Sequence, residues 1–180
     1  EFRRVLFRSW KLSQHLCKVH FPLDIHTDEA TFDIQFGNVT RKIHQNTSWD
    51  VAKFETCGHK WADMSENGYG VSLLNDCKYG YSAINKKLSL TLLKAGTEPN
   101  ETADIEVHHM TYSLYPHMGG FREGGTVNES FNLNVPAHTF KGGCAGDRKS
   151  FISIDKGNVV LETVKKSEDG TGVIVRLYEV

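Results

Sequence analysis

Several features are missing from this sequence, and each absence narrows its reading. No apolar run approaches the roughly 20 residues a helix needs to span a bilayer, so no membrane partner is expected. Charge of one sign is missing too: 21 Lys and Arg stand against 22 Asp and Glu in 180 residues, a formal net charge of -1. Nucleic acid and anionic membrane surfaces both need a basic face, so neither is expected as a main partner. Cysteine is scarce, with Cys17, Cys57, Cys77 and Cys144 showing no C-x-x-C spacing. They read as buried or free thiols rather than a disulfide framework. The first residues carry no apolar stretch of the secretory kind. The expected location is therefore a reducing cytoplasm, and the sequons at Asn38, Asn46, Asn100 and Asn128 read as chance matches. Helical period is the last absence. No segment holds apolar residues at i, i+3, i+4 and i+7 for three turns.

What the chain does have is period two. "TFDIQFG" puts Phe32, Ile34 and Phe36 on one face and Asp33 and Gln35 on the other. "AKFETCGHKWAD", "KLSLTLL", "VHHMTYSLYP", "ESFNLNVP", "FISID", "NVVLETVKK" and "GVIVRLYEV" continue the alternation. "SENG", "TEPN", "KGGCAGD" and "SEDGTG" supply turn chemistry between them. Pro22, Pro116 and Pro136 fall at the ends of apolar stretches, where a missing N–H breaks no ladder. About ten strands with almost no helix predict an all-β fold, an antiparallel β-sandwich of two packed sheets.

Residues 1–9, "EFRRVLFRS", hold two apolar pairs between arginines and fit no strand or helix period. The string resembles a translated sequencing-adapter remnant and is expected to be a non-native scar; a genuine basic first strand is the alternative. Residues 10–180 are expected to form one β-sandwich domain. "GVIVRLYEV" reaches Val180 with no turn after it, and the start after the scar also lies near a strand. The expectation is a large β-domain truncated at both ends.

The chemistry-bearing residues give few catalytic signals. His108 and His109 are adjacent and point to opposite faces of a strand, while Cys57 and His59 share a face but make only two ligands. There is no G-x-S-x-G elbow, and Cys77 has no neighbouring histidine in sequence. Asp50, Asp63, Glu66 and Asp76 each lie near Trp49, Trp61, Tyr69 or Tyr79, as sugar-handling carboxylates often lie near rings. Aspartates at strand ends more commonly cap turns, and that role is the expected one.

"FDIQFGNVTRKIHQNTSWD", "KFETCGHKWADMSENGYGVSLLNDCKYGYS" and "NVVLETVKKSEDGTGVIVRLYEV", in this order, closely resemble the C-terminal β-region of family 38 α-mannosidases. The likeness is to the cytosolic, vacuolar and bacterial branch and runs over nearly all of residues 10–180. It implies a parent glycosidase that hydrolyses terminal α-mannosides with retention. In that family the zinc ion and the nucleophile belong to an upstream β/α barrel, followed by a helical domain. No catalytic residue or metal ligand therefore carries over, and the isolated chain is expected to be inactive and to bind no cofactor. Further β-structure is expected after Val180. Relatives usually have Trp where Val51 stands, Pro-Thr where Lys42-Ile43 stand, and Arg where Lys94 stands. The implied partners are α-mannoside oligosaccharides and the protein's own barrel and helical domains, with a homo-oligomer left open.

Within this frame the polar loop after the Val71–Leu74 strand is the candidate site. Asn75, Asp76, Lys78 and Tyr79, with Lys94, are expected to face the barrel or line the wall of the sugar site. Docking against the barrel is the preferred role, ahead of direct sugar contact. A free-standing carbohydrate-binding module is the alternative, for which an exposed row of aromatics would speak. A structural sandwich serving subunit assembly, marked by a broad apolar patch, is the third reading.

Overall fold

The computed structural model describes residues 15–96, 98–143, 146 and 149–180; the scar-like segment 1–9 and Cys144 lie outside them. In chain order the elements are β1 (Leu16–Pro22), β2 (Glu29–Ile34), β3 (Gly37–Lys42), α1 (Ser48–Val51), β4 (Thr56–Cys57), β5 (Trp61–Glu66) and β6 (Tyr69–Asn75). They continue as β7 (Gly80–Ile84), β8 (Lys87–Lys94), β9 (Tyr112–Met118), α2 (Thr126–Asn134), β10 (Val159–Lys166) and β11 (Val173–Glu179). The chain divides into two compact units, the first ending at Pro136 and the second running Ala137–Val180.

The first unit is a sandwich of two antiparallel sheets, ordered β1-β8-β7-β4 and β3-β2-β5-β6-β9. One core lies between them. Phe32, Met64, Val71 and Leu73 enter it from the five-stranded sheet, and Tyr81, Ala83, Leu88 and Leu90 from the other. Phe32 meets Tyr81 edge-on across the layer, ring centroids 6.1 Å apart. Each fully buried side chain of this size contributes about 1.5–3 kcal/mol, so alternation over five or six strands suffices to set the fold. Tight turns hold the register. Ile84 pairs with Lys87, and Asn85 and Lys86 between them take φ of 51° and 57°, the primed turn that matches strand twist.

Strand β6 is buried from Gly70 to Asn75, on both faces. Val71 and Leu73 enter the core, whereas Ser72 hydrogen-bonds to Thr126 of α2, which covers the outer face.

That helix corrects the strand expected over "ESFNLNVP". Phe131 and Leu133 alternate with Ser130 and Asn132, but residues 126–134 wind into α2. Its N-cap is Gly125 at φ 74°, with no capping side chain, and its buried residues are Thr126, Val127 and Ser130. "FISID" forms no strand, β9 begins only at Tyr112, and Phe54 is 73% exposed in a loop. "NTSWD" makes a single helical turn, α1, closed by a reciprocal capping box between Thr47 and Asp50. Asp33, expected on an outward face, is buried and accepts from Lys60 N at 2.9 Å.

The second unit contains the β10–β11 hairpin, in register from Val159↔Glu179 to Lys166↔Val173. Its turn is organised by Asp169, which accepts hydrogen bonds from Ser167 Oγ, Thr171 N and Thr171 Oγ1. Those bonds, the Ser167 one foremost, pull the Asp169 carboxyl down to about 2.

Candidate functional site

The loop after β6 is built around Asn75. The chain leaves a buried strand here and must turn at once, and the Asn side chain substitutes for the missing ladder. Its Oδ1 accepts from Cys77 N at 3.0 Å and Lys78 N at 2.5 Å, while its Nδ2 donates to His59 O at 2.9 Å and to Tyr81 Oη. Asn75 is 1% exposed and organises the loop from below, at the floor of the cleft.

Asp76 ties the loop to the lead-in of β9. Its Oδ1 accepts from Thr111 N at 2.9 Å, and its own N–H donates to Thr111 O at 3.1 Å. Burial acts to raise its pKa, but the hydrogen bonds from Cys77 and Thr111 outweigh that and hold the carboxyl below its ordinary value. Next to it, burial and the bond to Asp76 push the Cys77 thiol up to about 11. Cys77 is thus a thiol at neutral pH and a poor nucleophile.

Tyr79 is the residue the loop displays. It is 60% exposed, and its ring stands edge-on to His59 at 5.6 Å between centroids. The two rings flank a cleft of about 230 Å³ lined also by Lys60, Asn75, Asp76, Cys77 and Asn134. Lys60 is held by an ion pair to Asp33 at 2.9 Å and lies 5.1 Å over the Phe131 ring. Asn134, at the end of α2, donates to Asn75 O at 3.0 Å. Such a cleft has two aromatic faces and several hydrogen-bonding groups on fixed supports. It can hold a polar ring-shaped ligand, and it supplies no activated nucleophile.

Of the residues expected at this site, Asn75, Asp76 and Tyr79 line the cleft and Lys78 lies in the same loop. Lys94 sits at the end of β8 in the other sheet and is not among the lining residues. His59, Lys60 and Asn134 were not anticipated. Nothing in local sequence could bring Asn134 here, since it arrives on a helix that reads as a strand.

The other carboxylates take structural roles. Asp50 closes the α1 capping box and binds Lys53 at 2.9 Å, Glu66 accepts from His26 N at 2.6 Å, and Asp63 is buried. Trp61 is fully buried and stacks on Phe121 at 4.9 Å, a core role rather than a sugar platform. His108 Nε2 bonds to Asp104 O at 2.9 Å. Among the described residues no three His, Cys, Asp or Glu side chains converge as a metal site.

Comparison with known proteins gives a consistent set of likenesses. Residues 4–102 match the glycosyl hydrolases family 38 C-terminal domain, and residues 158–180 match the glycosyl hydrolases family 38 C-terminal beta sandwich domain. Alpha-mannosidase G of Dictyostelium discoideum is 42% identical over 176 residues, covering 95% of this chain and 16% of the relative. Human alpha-mannosidase 2C1 is 42% identical over 175 residues, covering 94% and 17%. The chain thus spans about a sixth of the length of these curated relatives. The crystal structure of an alpha-mannosidase from Enterococcus faecalis V583 superposes with a TM-score of 0.81 at 16% identity. It covers 99% of this chain and 22% of that one, and confirms the fold.

Proposed function

Because the chain belongs to the glycosyl hydrolase family 38 C-terminal domain, we propose that it is the C-terminal β-sandwich part of an α-mannosidase. In this reading the parent hydrolyses terminal α-mannosides of oligosaccharides with retention, and the chemistry belongs to an upstream barrel and helical domain. Zinc is assigned to that barrel on the family resemblance alone. Residues 10–180 brace the barrel, and the 75–79 loop forms part of the sugar-site wall. Lys94 belongs to the barrel-facing end rather than to the cleft.

The observation that carries this reading is the cleft beside Tyr79. Its exposed ring can pack on the C–H face of a sugar, with Lys60, Asp76 and Asn134 at its rim to meet hydroxyls or barrel groups. Asp76 acts mainly by fixing the loop to Thr111.

The test is kinetic and uses the full-length enzyme. Tyr79→Ala and Asp76→Ala are expected to lower kcat/KM for an aryl α-mannoside by about ten- to a hundredfold. Tyr79→Ala should leave the melting temperature near wild type. Wild-type kcat/KM in both variants overturns the assignment of this loop. The isolated chain is expected to leave the same substrate uncleaved, and turnover abolished by a mutation within it would relocate the chemistry. Residues 1–9 are proposed to be non-native, so deleting them should not shift the melting temperature. Cytoplasmic residence belongs to the same reading, supported by the free thiols of Cys17, Cys57 and Cys77. Among the described residues no helix is long and apolar enough to cross a membrane.

A further inference from the structure

The outer face of the five-stranded sheet holds a second group of chemistry-bearing side chains, apart from the cleft. Asp63 on β5 stands opposite Ser72 on β6, and His117 on β9 stands opposite Gly70. Asp63, Ser72 and His117 are buried, and so is Thr126 at the start of α2. Ser72 Oγ lies 2.7 Å from Asp63 Oδ2, 2.6 Å from Thr126 Oγ1 and 3.1 Å from His117 Nε2. His117 Nε2 lies 2.7 Å from Asp63 Oδ2, and Ser65 Oγ donates to Asp63 Oδ1 at 2.5 Å.

The protons can be placed consistently. Ser65, Ser72 and the Nε2–H of His117 each donate to the Asp63 carboxylate, and Thr126 donates to Ser72. His117 Nδ1 is left buried without a partner, against Gly124, where an added Cβ would lie 2.5 Å away. Ser72 has no exposed surface, so the group cannot attack a substrate despite its resemblance in composition to a hydrolytic triad. Its strands are tied to one another by these bonds, and the Ser72–Thr126 bond ties them to α2.

That helix has little of its own to hold it. Gly125 gives no side-chain cap, and Asn128, Asn132 and Asn134 are weak helix formers. Yet its far end meets the cleft twice, through Asn134 on Asn75 O and through Phe131 beneath Lys60. The nine residues from Thr126 to Asn134 rise about 12 Å at 1.5 Å per residue.

We propose that the buried Asp63–Ser72–His117–Thr126 group is a positioning device: it anchors the first turn of α2, and α2 thereby fixes the 75–79 loop and the rim of the cleft. Thr126 and Asn134 are the two ends of the strut: Asn134 holds Asn75 O directly, and Thr126 acts on the loop through the helix between them. A bond lost at the anchor is felt at the loop.

Hydrogen exchange at the Cys77 and Lys78 amides, both bonded to Asn75 Oδ1, reads loop order whatever the cleft binds. In the full-length protein, Thr126→Val and Asn134→Ala should each speed exchange there by about tenfold, and Thr126→Ser should restore the wild-type rate. In the Asn134→Ala background, Thr126→Val should add little, because the strut is already cut. Unchanged exchange at Cys77 and Lys78 in Asn134→Ala, which alters a half-buried side chain and should fold, overturns the proposal. So do additive effects in the double variant. The kinetic arm rests on the proposed function: Thr126→Val should raise KM for an aryl α-mannoside several-fold, with kcat within about twofold. Faster exchange with unchanged KM upholds the strut and counts against the sugar-site assignment instead.

Discussion

The two faces of the five-stranded sheet are buried to a similar depth by opposite means. The inner face is apolar, with Phe32, Ala62, Met64, Val71 and Leu73 packed on the four-stranded sheet. The outer face, under α2, is a polar group of Asp63, Ser72, His117 and Thr126 beside the Trp61–Phe121 stack. Packing on the inner face is tolerant, since apolar side chains of similar volume can replace one another. On the outer face the donors of Ser65, Ser72, His117 and Thr126 each have an assigned acceptor, so changing one atom leaves another unpaired. The first face supplies most of the stability. The second fixes where the covering helix lies.

Substitutions on each face can break that contrast. The largest effect is expected from Leu73→Ala on the inner face, about 2–5 kcal/mol from lost burial and the cavity left behind. Urea unfolding should show a lower midpoint with unchanged slope, and a loss below 1 kcal/mol would mean this face is not the main source of stability. Asp63→Asn comes next, at about 1–3 kcal/mol, because an amide N–H₂ would then face donors. A neutral result would show that the outer group is not the fully assigned network described. Ser65→Ala removes a single donor to Asp63 and should cost about 0.5–1.5 kcal/mol, which differential scanning calorimetry can resolve.

The smallest effect lies on the surface, in α1. Lys53 foremost, and Thr47 after it, hold the Asp50 carboxyl down to about 2 from an ordinary 3.8. A depressed carboxylate contributes stability above its unfolded value and loses it as pH falls through the folded one. The turn should therefore keep its cap at pH 4 and shed it towards pH 2. An NMR titration of the Asp50 carboxyl with its midpoint near 3.8 would show that the box is not formed.

The inner face was legible in the sequence because alternation is a local signal. Phe32, Val71, Leu73, Leu88 and Leu90 could be placed from period two alone. Phe36 could not, because it falls in the turn before β3 at φ 55° and is exposed. The outer face was hidden. Asp63, Ser72 and His117 sit at positions that a one-sided sheet would give to solvent, and only the covering helix buries them. Residues 129–136 carry alternation that suits a strand, and the anchor at Thr126, 54 residues from Ser72, decides for helix. The candidate loop was legible as polar and aromatic, which located Tyr79. The role of Asp76 was not, since its partner Thr111 is 35 residues away.

The glycines around His117 carry a consequence for how such a sequence can change. A Cβ on Gly70 would come within 2.4 Å of His117 Cε1, and one on Gly124 within 2.4 Å of Cγ. The imidazole thus fills the volume that two missing side chains leave open. A methyl gained at 70 must be matched by a shift of Ser65 Oγ as well as bulk lost at 117. One gained at 124 also meets His117 Cβ at 2.7 Å, so a smaller residue at 117 relieves it only in part and forfeits a donor to Asp63. Single substitutions at these three sites each lead into a fitness valley. In a large set of descendants, positions 70, 117 and 124 should therefore change together or stay as they are.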